Sequence, residues 1–154
     1  MIPRTVFKEE HELFRKTVKD FIEREIAPHH AQWEKDGVVP KDVWRKAGEA
    51  GLLLTGVPEE YGGGGANFLM SAIVIEELSK GLYSGPGFRL HSDIVAPYIL
   101  HYGTEEQKRS ILPRMARGEI ITAIAMTEPG TGSDLQGIKT TAIRKGNELV
   151  VNGQ

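Results

Sequence analysis

The sequence contains no cysteine among its 154 residues, so disulfide bridges and thiolate chemistry are excluded. It also lacks any run of about 18 apolar residues, the length at which a membrane-spanning helix becomes a candidate. Near its start, KEEHE at residues 8–12 resembles neither the apolar core of a signal peptide nor an acid-poor transit peptide. We therefore expect no membrane association and a cytoplasmic location, or the mitochondrial matrix for a processed eukaryotic protein.

An excess of charge of either sign is also lacking. The formal net charge is −2 and the isoelectric point is near 6.2, so attraction to nucleic acid or to an anionic membrane is not expected. Hydrophobic residues make up 40% of the chain and charged residues 26%, which is typical of a globular protein. The length suffices for one well-buried core and the beginning of a second.

Most of the N-terminal part has apolar residues at three- and four-residue spacing, which predicts amphipathic helices. The first helix is predicted over residues 7–26, and a second begins near Pro40. Residues 88–101 form a further amphipathic segment. Thr104 and Gln107 have the spacing of a capping box and predict the start of another helix. About five helices are expected in all.

The helix predicted over residues 68–80 differs from the others in its pattern. Asn67 can cap its N-terminus, and Gly81 closes it. Apolar residues surround nearly its full circumference. This predicts a helix in the middle of a bundle.

The last part of the chain has β-forming patterns. The apolar run at residues 120–126 predicts a strand, and Gly146-Asn147 predicts a two-residue hairpin loop between 140–145 and 148–152. One strand and a hairpin leave open edges, so we expect a truncated chain or one partner of a larger body. The predicted fold is mainly α: a helical-bundle domain over residues 1–118, then the first strands of a truncated β-domain over 119–154.

Between the predicted strands lies a loop with unusual backbone requirements, TEPGTGSD at residues 127–134, which we name the signature loop. Pro129 fixes its own φ, and Gly130 and Gly132 can take positive φ at little cost. Such a loop can direct several N–H groups into one concavity that suits a phosphate. Leu135 stands where a dinucleotide-binding fingerprint needs glycine, and no P-loop lysine follows. From local chemistry, an anion-binding loop and a simple tight connection both remain open.

Three other groups of residues have a functional and a structural interpretation. His29 and His30, with Glu34, resemble a metal site, but consecutive helical side chains diverge by about 100°, which favours a solvated helix end. Glu76 and Glu77 diverge in the same way and are interpreted as solvated or ion-paired carboxylates. The glycines at residues 62–65 have no lysine in register and indicate a turn. No metal site is predicted.

The signature loop and its neighbours resemble the first signature of the acyl-CoA dehydrogenase family, TEPGAGSD, with Thr131 in place of alanine. Further matches are WRKAGEAGL at residues 44–52, PEEYGG at 58–63 and YGTEEQK at 102–108, in the order typical of the family. Together the matches cover nearly the whole chain. SGPGFRLHS at residues 84–92 and the run before the loop are most similar to long-chain members, although a medium-chain substrate also stays open.

The resemblance implies a fold and a chemistry. Family members have an N-terminal helical domain, a middle β-domain and a C-terminal four-helix bundle, bind FAD between them, and form tetramers or dimers. They oxidise acyl-CoA thioesters to trans-2-enoyl products. A glutamate removes the α-proton, the β-hydrogen leaves as hydride to flavin N5, and an electron-transfer flavoprotein reoxidises the cofactor.

The resemblance also implies roles for particular residues. The backbone around Met126 and the Thr127 side chain are expected at the flavin, and Gly132 and Ser133 at the pyrophosphate, with Ser133 also near the substrate. The full set expected at the cofactor is Ile124, Ala125, Met126, Thr127, Gly132 and Ser133. The set expected along the acyl chain is Ser133, Ser92, Val95, Ala96 and Ile99. The family's catalytic glutamate has no counterpart in these 154 residues, so no catalytic residue is assigned.

Two alternatives remain beside this interpretation. One is a related flavin-dependent acyl-CoA oxidase or monooxygenase that uses the same flavin pocket. The other is a non-catalytic helical interaction module. We expect the chain by itself to bind FAD weakly and to be inactive, because a single edge of contact cannot offset the cost of immobilising the ligand.

Overall fold

The computed structural model describes residues 4–154, which contain six α-helices followed by one β-hairpin. The predicted class, mainly α with a short β-region at the end, is confirmed. The helices are α1 (Glu9–Phe21), α2 (His30–Asp36), α3 (Lys41–Glu49), α4 (Phe68–Lys80), α5 (Ala96–Tyr102) and α6 (Glu105–Ala116), and the strands are β1 (Thr141–Lys145) and β2 (Glu148–Asn152). A π-helical turn at Ile22–Ile26 extends α1, and another at Leu90–Val95 leads into α5.

The chain forms two compact units. The first ends at Ala123 and includes the six helices, and the second is Ile124–Gln154. The domain boundary predicted after residue 118 lies within the first unit and stays a prediction.

The helical unit is held together by the apolar faces that the sequence periodicity predicts. Val18, Phe21, Ile22 and Ile26 are buried at helical spacing, and α1 packs along α4. The predicted caps are present as well. The Leu69 N–H donates to Asn67 Oδ1 at 2.9 Å, and the Thr104 and Gln107 side chains exchange reciprocal bonds with each other's backbone N–H groups.

Helix α4 is not enclosed on all sides, so that expectation is wrong. Ile73, Val74 and Leu78 face the core, whereas Phe68 is exposed and Ile75 is only half-buried. Apolar residues on every face of a helix favour burial of the whole helix. Whether each face is buried depends on the neighbouring elements, which the sequence of the helix does not specify.

The strand predicted over residues 120–126 is absent from the described structure, where residues 121–126 form no regular secondary structure. A β-strand is defined by ladder hydrogen bonds to a neighbour, and no strand lies beside this run in residues 4–154. The hairpin prediction is confirmed. Lys145 pairs with Glu148 around Gly146-Asn147, and Gly146 has a φ of +63°.

Candidate functional site

The signature loop is closed by a tight turn within the second unit. The N–H of Glu128 donates to the Thr131 carbonyl, and the N–H of Thr131 donates to the Glu128 carbonyl, both at 3.0 Å. Pro129 and Gly130 form the tip of this turn. The predicted cofactor-contacting residues therefore lie on one continuous segment. Of these, Ala125, Met126, Thr127, Gly132 and Ser133 are exposed, and Ile124 is half-buried.

Gly130 and Gly132 do not have positive φ, so the expected reason for these glycines is wrong. Neither residue packs closely either, because a Cβ built on each would meet no atom within 4 Å. The turn itself is therefore compatible with side chains at both positions. What the glycines provide is open space directly above the backbone, which allows a ligand to approach the chain closely.

Free hydrogen-bond donors accompany this open space. The backbone N–H groups of Gly132, Ser133 and Asp134 donate to no other group in the described chain. Beside the turn, a groove of about 330 Å³ is lined by Lys139 and also by Glu128, but not by the three residues with free N–H groups. Free N–H donors and backbone clearance are features that an anionic group such as a pyrophosphate requires.

The Glu128 side chain bonds the signature loop to Lys139 and Thr140. Its carboxylate accepts from the N–H groups of Lys139 (2.9 Å) and Thr140 (2.8 Å) and from the Thr140 hydroxyl. The Thr140 side chain, followed by these backbone N–H groups, lowers the pKa of Glu128 from its ordinary value. Sequence reasoning missed this role, since the acceptor and its donors are eleven or twelve residues apart and no short pattern joins them.

The residues predicted along the acyl chain mostly face the helical core. The Leu54 N–H donates to Ser92 Oγ at 3.1 Å, and Ala96 is 0% exposed. Val95 and Ile99 are half-buried, whereas Tyr98 on the same helix is 54% exposed. The family resemblance implied these residues as a set, but it did not distinguish the packed face of this segment from the open one. Substrate contacts at Ser92, Val95, Ala96 and Ile99 therefore stay predictions.

The helical unit has an apolar groove that sequence reasoning did not identify. Its volume is about 490 Å³, within the range of small-molecule sites. Its apolar wall comes from the end of α4 and the loop that follows it, and Arg89 adds a cation. We name this feature the apolar groove; it is lined by Ile75, Leu78, Ser79, Leu82, Tyr83, Ser84, Pro86 and Arg89.

Glu76 and Glu77 are ion-paired, as the sequence predicts. Arg15 Nη1 contacts Glu76 at 2.9 Å and Glu77 at 2.6 Å, and Lys80 also contacts both carboxylates. Burial by itself would raise the pKa of Glu76, but the bonds from Arg15 and Arg4 outweigh it and lower the pKa to about 2. Both carboxylates are engaged in joining α1 to α4, so neither is available as a base.

The two adjacent histidines have different environments. His29 is exposed, but His30 is buried and accepts a hydrogen bond from the Gly85 N–H, so the expected solvated helix end is wrong for His30. Glu34 lies 3.9 Å from His30 Nδ1 and adds no further ligand. Within residues 4–154 no three potential ligands are close enough to hold a metal ion, and no helix there has the length and apolar character needed to cross a membrane.

His91 is fully buried and connects the end of α6 to the irregular run after it. Its Nε2–H donates to the Met115 carbonyl at 3.1 Å, which leaves Nδ1 to accept from the Thr122 hydroxyl at 2.9 Å. Burial lowers the pKa of His91 below its ordinary value, and the bond to Met115 only partly opposes this. The ring also packs edge-on against Trp44. His91 is therefore neutral in the folded protein at neutral pH.

Comparison with known proteins agrees with these features. The model of the family described as acyl-CoA dehydrogenase, N-terminal domain, matches residues 8–119. The long-chain specific acyl-CoA dehydrogenase of Mus musculus mitochondria is 50% identical over 150 residues, which is 97% of this chain and 35% of that protein. The chain thus spans about a third of the length of this relative.

Solved structures give the same relationship. The crystal structure of an acyl-CoA dehydrogenase from Geobacillus kaustophilus has a TM-score of 0.92 and 50% identity, covering 98% of this chain and 40% of that one. An acyl-CoA dehydrogenase from Bacillus anthracis, crystallised as a complex with FAD, has a TM-score of 0.85 and 37% identity, covering 99% of this chain and 27% of that one.

Proposed function

The chain belongs to the acyl-CoA dehydrogenase family, and from this we propose that it is the N-terminal portion of an FAD-dependent enzyme that introduces an α,β double bond into acyl-CoA thioesters. The observation that supports the proposal most strongly is the signature loop, with three free backbone N–H groups beside two glycines that have open space above them. The proposed reaction uses neither a metal ion nor a nucleophilic side chain, so it does not require a metal-ligand or nucleophile motif in these residues.

The signature loop fits one edge of the cofactor. Ala125, Met126 and Thr127 are exposed on irregular chain that can follow the flavin ring, and Ile124 beside them is half-buried. The free N–H groups of Gly132 and Ser133 suit the pyrophosphate. When bound, FAD accepts the two electrons and the β-hydrogen as a hydride, while a glutamate outside these residues takes the α-proton. The role of Glu128 is to keep the loop in its shape through Lys139 and Thr140.

The apolar groove suits the acyl part of the substrate. Its lining is mostly apolar, its volume is about 490 Å³, and it borders the segment that leads to Ser92, Val95, Ala96 and Ile99. An alkyl chain gains about 0.8 kcal/mol for each methylene that it buries, so such a groove supports long or medium chains. Ser79, Ser84 and Arg89 also line the groove and would provide polar groups near the end of a bound alkyl chain.

The proposal includes the partners that this chemistry needs. An electron-transfer flavoprotein is the expected acceptor, and the enzyme is expected to be a homotetramer or homodimer in the cytoplasm or the mitochondrial matrix. The residues of this chain provide only one edge of the cofactor site. Two or three hydrogen bonds of about 1 kcal/mol each do not offset the cost of immobilising FAD, so the 154-residue chain alone should bind it weakly and be inactive.

Substitutions in the signature loop test the cofactor assignment. In the full-length enzyme, Thr127→Ala and Ser133→Ala should each raise the Kd for FAD about fivefold, the equivalent of one lost hydrogen bond of about 1 kcal/mol. Thr141→Ala removes an exposed hydroxyl outside the loop and is the matched control. Equal FAD affinity for all three variants and the wild type would contradict the assignment.

Comparison of electron acceptors separates the alternatives. A dehydrogenase should turn over with electron-transfer flavoprotein and only slowly with oxygen. Fast turnover with oxygen would identify an oxidase or a monooxygenase instead. Absence of flavin from the purified full-length protein would favour the non-catalytic module.

A further inference from the structure

His30 connects α2 to the loop that forms half of the apolar groove. The Gly85 N–H donates to His30 Nε2 at 3.1 Å, and the His30 ring packs edge-on against Tyr83, with ring centroids 5.3 Å apart. His30 itself is not in the groove lining. It contacts the loop without lining the groove itself.

This loop, residues 81–86, has a conformation that needs support. Leu82 has a φ of +55°, a left-handed conformation that is strained for a non-glycine residue, and the residue is 82% exposed. The N–H groups of Leu82 and Tyr83 donate to carbonyls at the end of α4. Those bonds fix the start of the loop, but they do not determine where its second half lies.

The Tyr83 ring and the Gly85 N–H are the groups through which His30 holds the loop. A Cβ on Gly81 would clash with the Tyr83 ring, so the ring occupies the space that the glycine leaves, and it also packs edge-on against His30. The Gly85 N–H has His30 as its hydrogen-bond acceptor. Removal of the imidazole would therefore free both the aromatic ring and the backbone that follows it.

Four residues of this loop line the apolar groove together with the α4 residues Ile75, Leu78 and Ser79. They are Leu82, Tyr83, Ser84 and Pro86. A shift of the loop relative to α4 changes the shape of the groove, and hence the width available to an alkyl chain.

We propose that His30 is a positioning residue that sets the width of the apolar groove and thereby the acyl-chain preference of the enzyme. The inference rests on the proposed function, because it names a determinant of specificity for the same substrate. With the imidazole in place, the loop stays in its strained conformation and the groove keeps a single shape. Without it, the loop relaxes and the groove distinguishes less sharply between chains of different length and branching.

The test uses the FAD-loaded full-length enzyme and a series of straight and branched acyl-CoA substrates. His30→Ala should reduce the ratio of kcat/KM between the best substrate and its poorer homologues about tenfold, the scale of one misfitted methylene. The change should appear in KM, with kcat for the best substrate within about twofold of wild type. His30→Gln supplies an amide oxygen near the position of Nε2 and should restore much of the discrimination.

Two controls make the result specific. His29→Ala changes the exposed neighbouring histidine and should leave the profile unchanged. Gly81→Ala adds a Cβ that displaces the Tyr83 ring, at a residue with an ordinary φ of −94°, and should flatten the profile even if His30→Ala fails to fold.

The outcomes distinguish the inference from the function on which it rests. A wild-type enzyme that oxidises no acyl-CoA would overturn the proposed function. A wild-type enzyme that is active, with an unchanged chain-length profile in Gly81→Ala or in folded His30→Ala, would overturn the role of His30 alone. A fall in kcat that is equal for all substrates would also overturn it, since that result indicates a general structural role.

Discussion

At the scale of single residues, a few side chains bond segments that are far apart in the chain. Glu128 accepts from groups eleven and twelve residues later in the chain, and His30 contacts Gly85, fifty-five residues away. His91 bonds both Met115 and Thr122. The hydroxyls and glycines of the signature loop were assigned by resemblance, whereas the half-buried Glu128 and the buried His30 and His91 were not.

His91 gives a prediction with a definite pH dependence. The His91 ring makes three hydrogen bonds, one to the Met115 carbonyl and two from Thr122, and His91→Gln should lose at least one of them and lower the free energy of unfolding by about 1–3 kcal/mol at pH 7.5. Because burial lowers the pKa of His91, its contribution is complete above the unfolded pKa of about 6.5 and is lost as pH falls below that value. The difference between wild type and variant should therefore shrink at pH 5.5.

Urea unfolding of the chain at several pH values measures this difference. His29→Gln, at an exposed position, should change stability little at every pH. A wild-type advantage that stayed constant or grew between pH 7.5 and pH 5.5 would show that His91 is not held neutral.

At the scale of elements, the sequence predicted helices better than strands, for a physical reason. The caps at Asn67 and Thr104 and the apolar stripe of α1 are local features, and the structure confirms them. Helix α2 was missed because it is short and has no capping side chain. The run at 120–126 was assigned as a strand because its residues favour one, yet a strand also needs a partner, which local sequence does not supply.

The contact between α1 and α4 gives a prediction for charged residues. The Glu77 side chain is 5% exposed and bonds Arg15, which is 13% exposed, whereas Glu12 contacts the same guanidinium but is 57% exposed. Glu77→Gln should destabilise the chain by about 2 kcal/mol, because it weakens a charge-assisted bond in a dry setting. Glu12→Gln, the matched control, should cost less than about 0.5 kcal/mol.

Denaturant unfolding at pH 7 compares these variants. The contribution of Glu76 to the free energy of unfolding should depend on pH. Because the pKa of Glu76 is lowered to about 2, this contribution is complete above the ordinary pKa of 4.5 and is lost as pH falls through about 2. Equal losses of stability in Glu77→Gln and Glu12→Gln at pH 7 would show that burial does not strengthen the ion pair between Glu77 and Arg15.

At the scale of the whole molecule, the described chain is a folded helical unit and a hairpin whose apolar residues are partly uncovered. Ile143, Leu149 and Val151 are exposed on the hairpin, and Phe68 is exposed on α4. The family resemblance in the sequence predicted both the fold class and the family that the comparisons show. Composition and periodicity alone would have given only a helical protein with a short β-region.

Anaerobic titration of the purified full-length protein with acyl-CoA substrates, with the flavin absorbance followed, is the decisive measurement for the proposed function. We predict that FAD co-purifies, that a medium- or long-chain acyl-CoA bleaches the oxidised-flavin absorbance, and that the product is the trans-2-enoyl-CoA. A protein without flavin, or a bound flavin that no acyl-CoA in the series reduces, would contradict the proposed function.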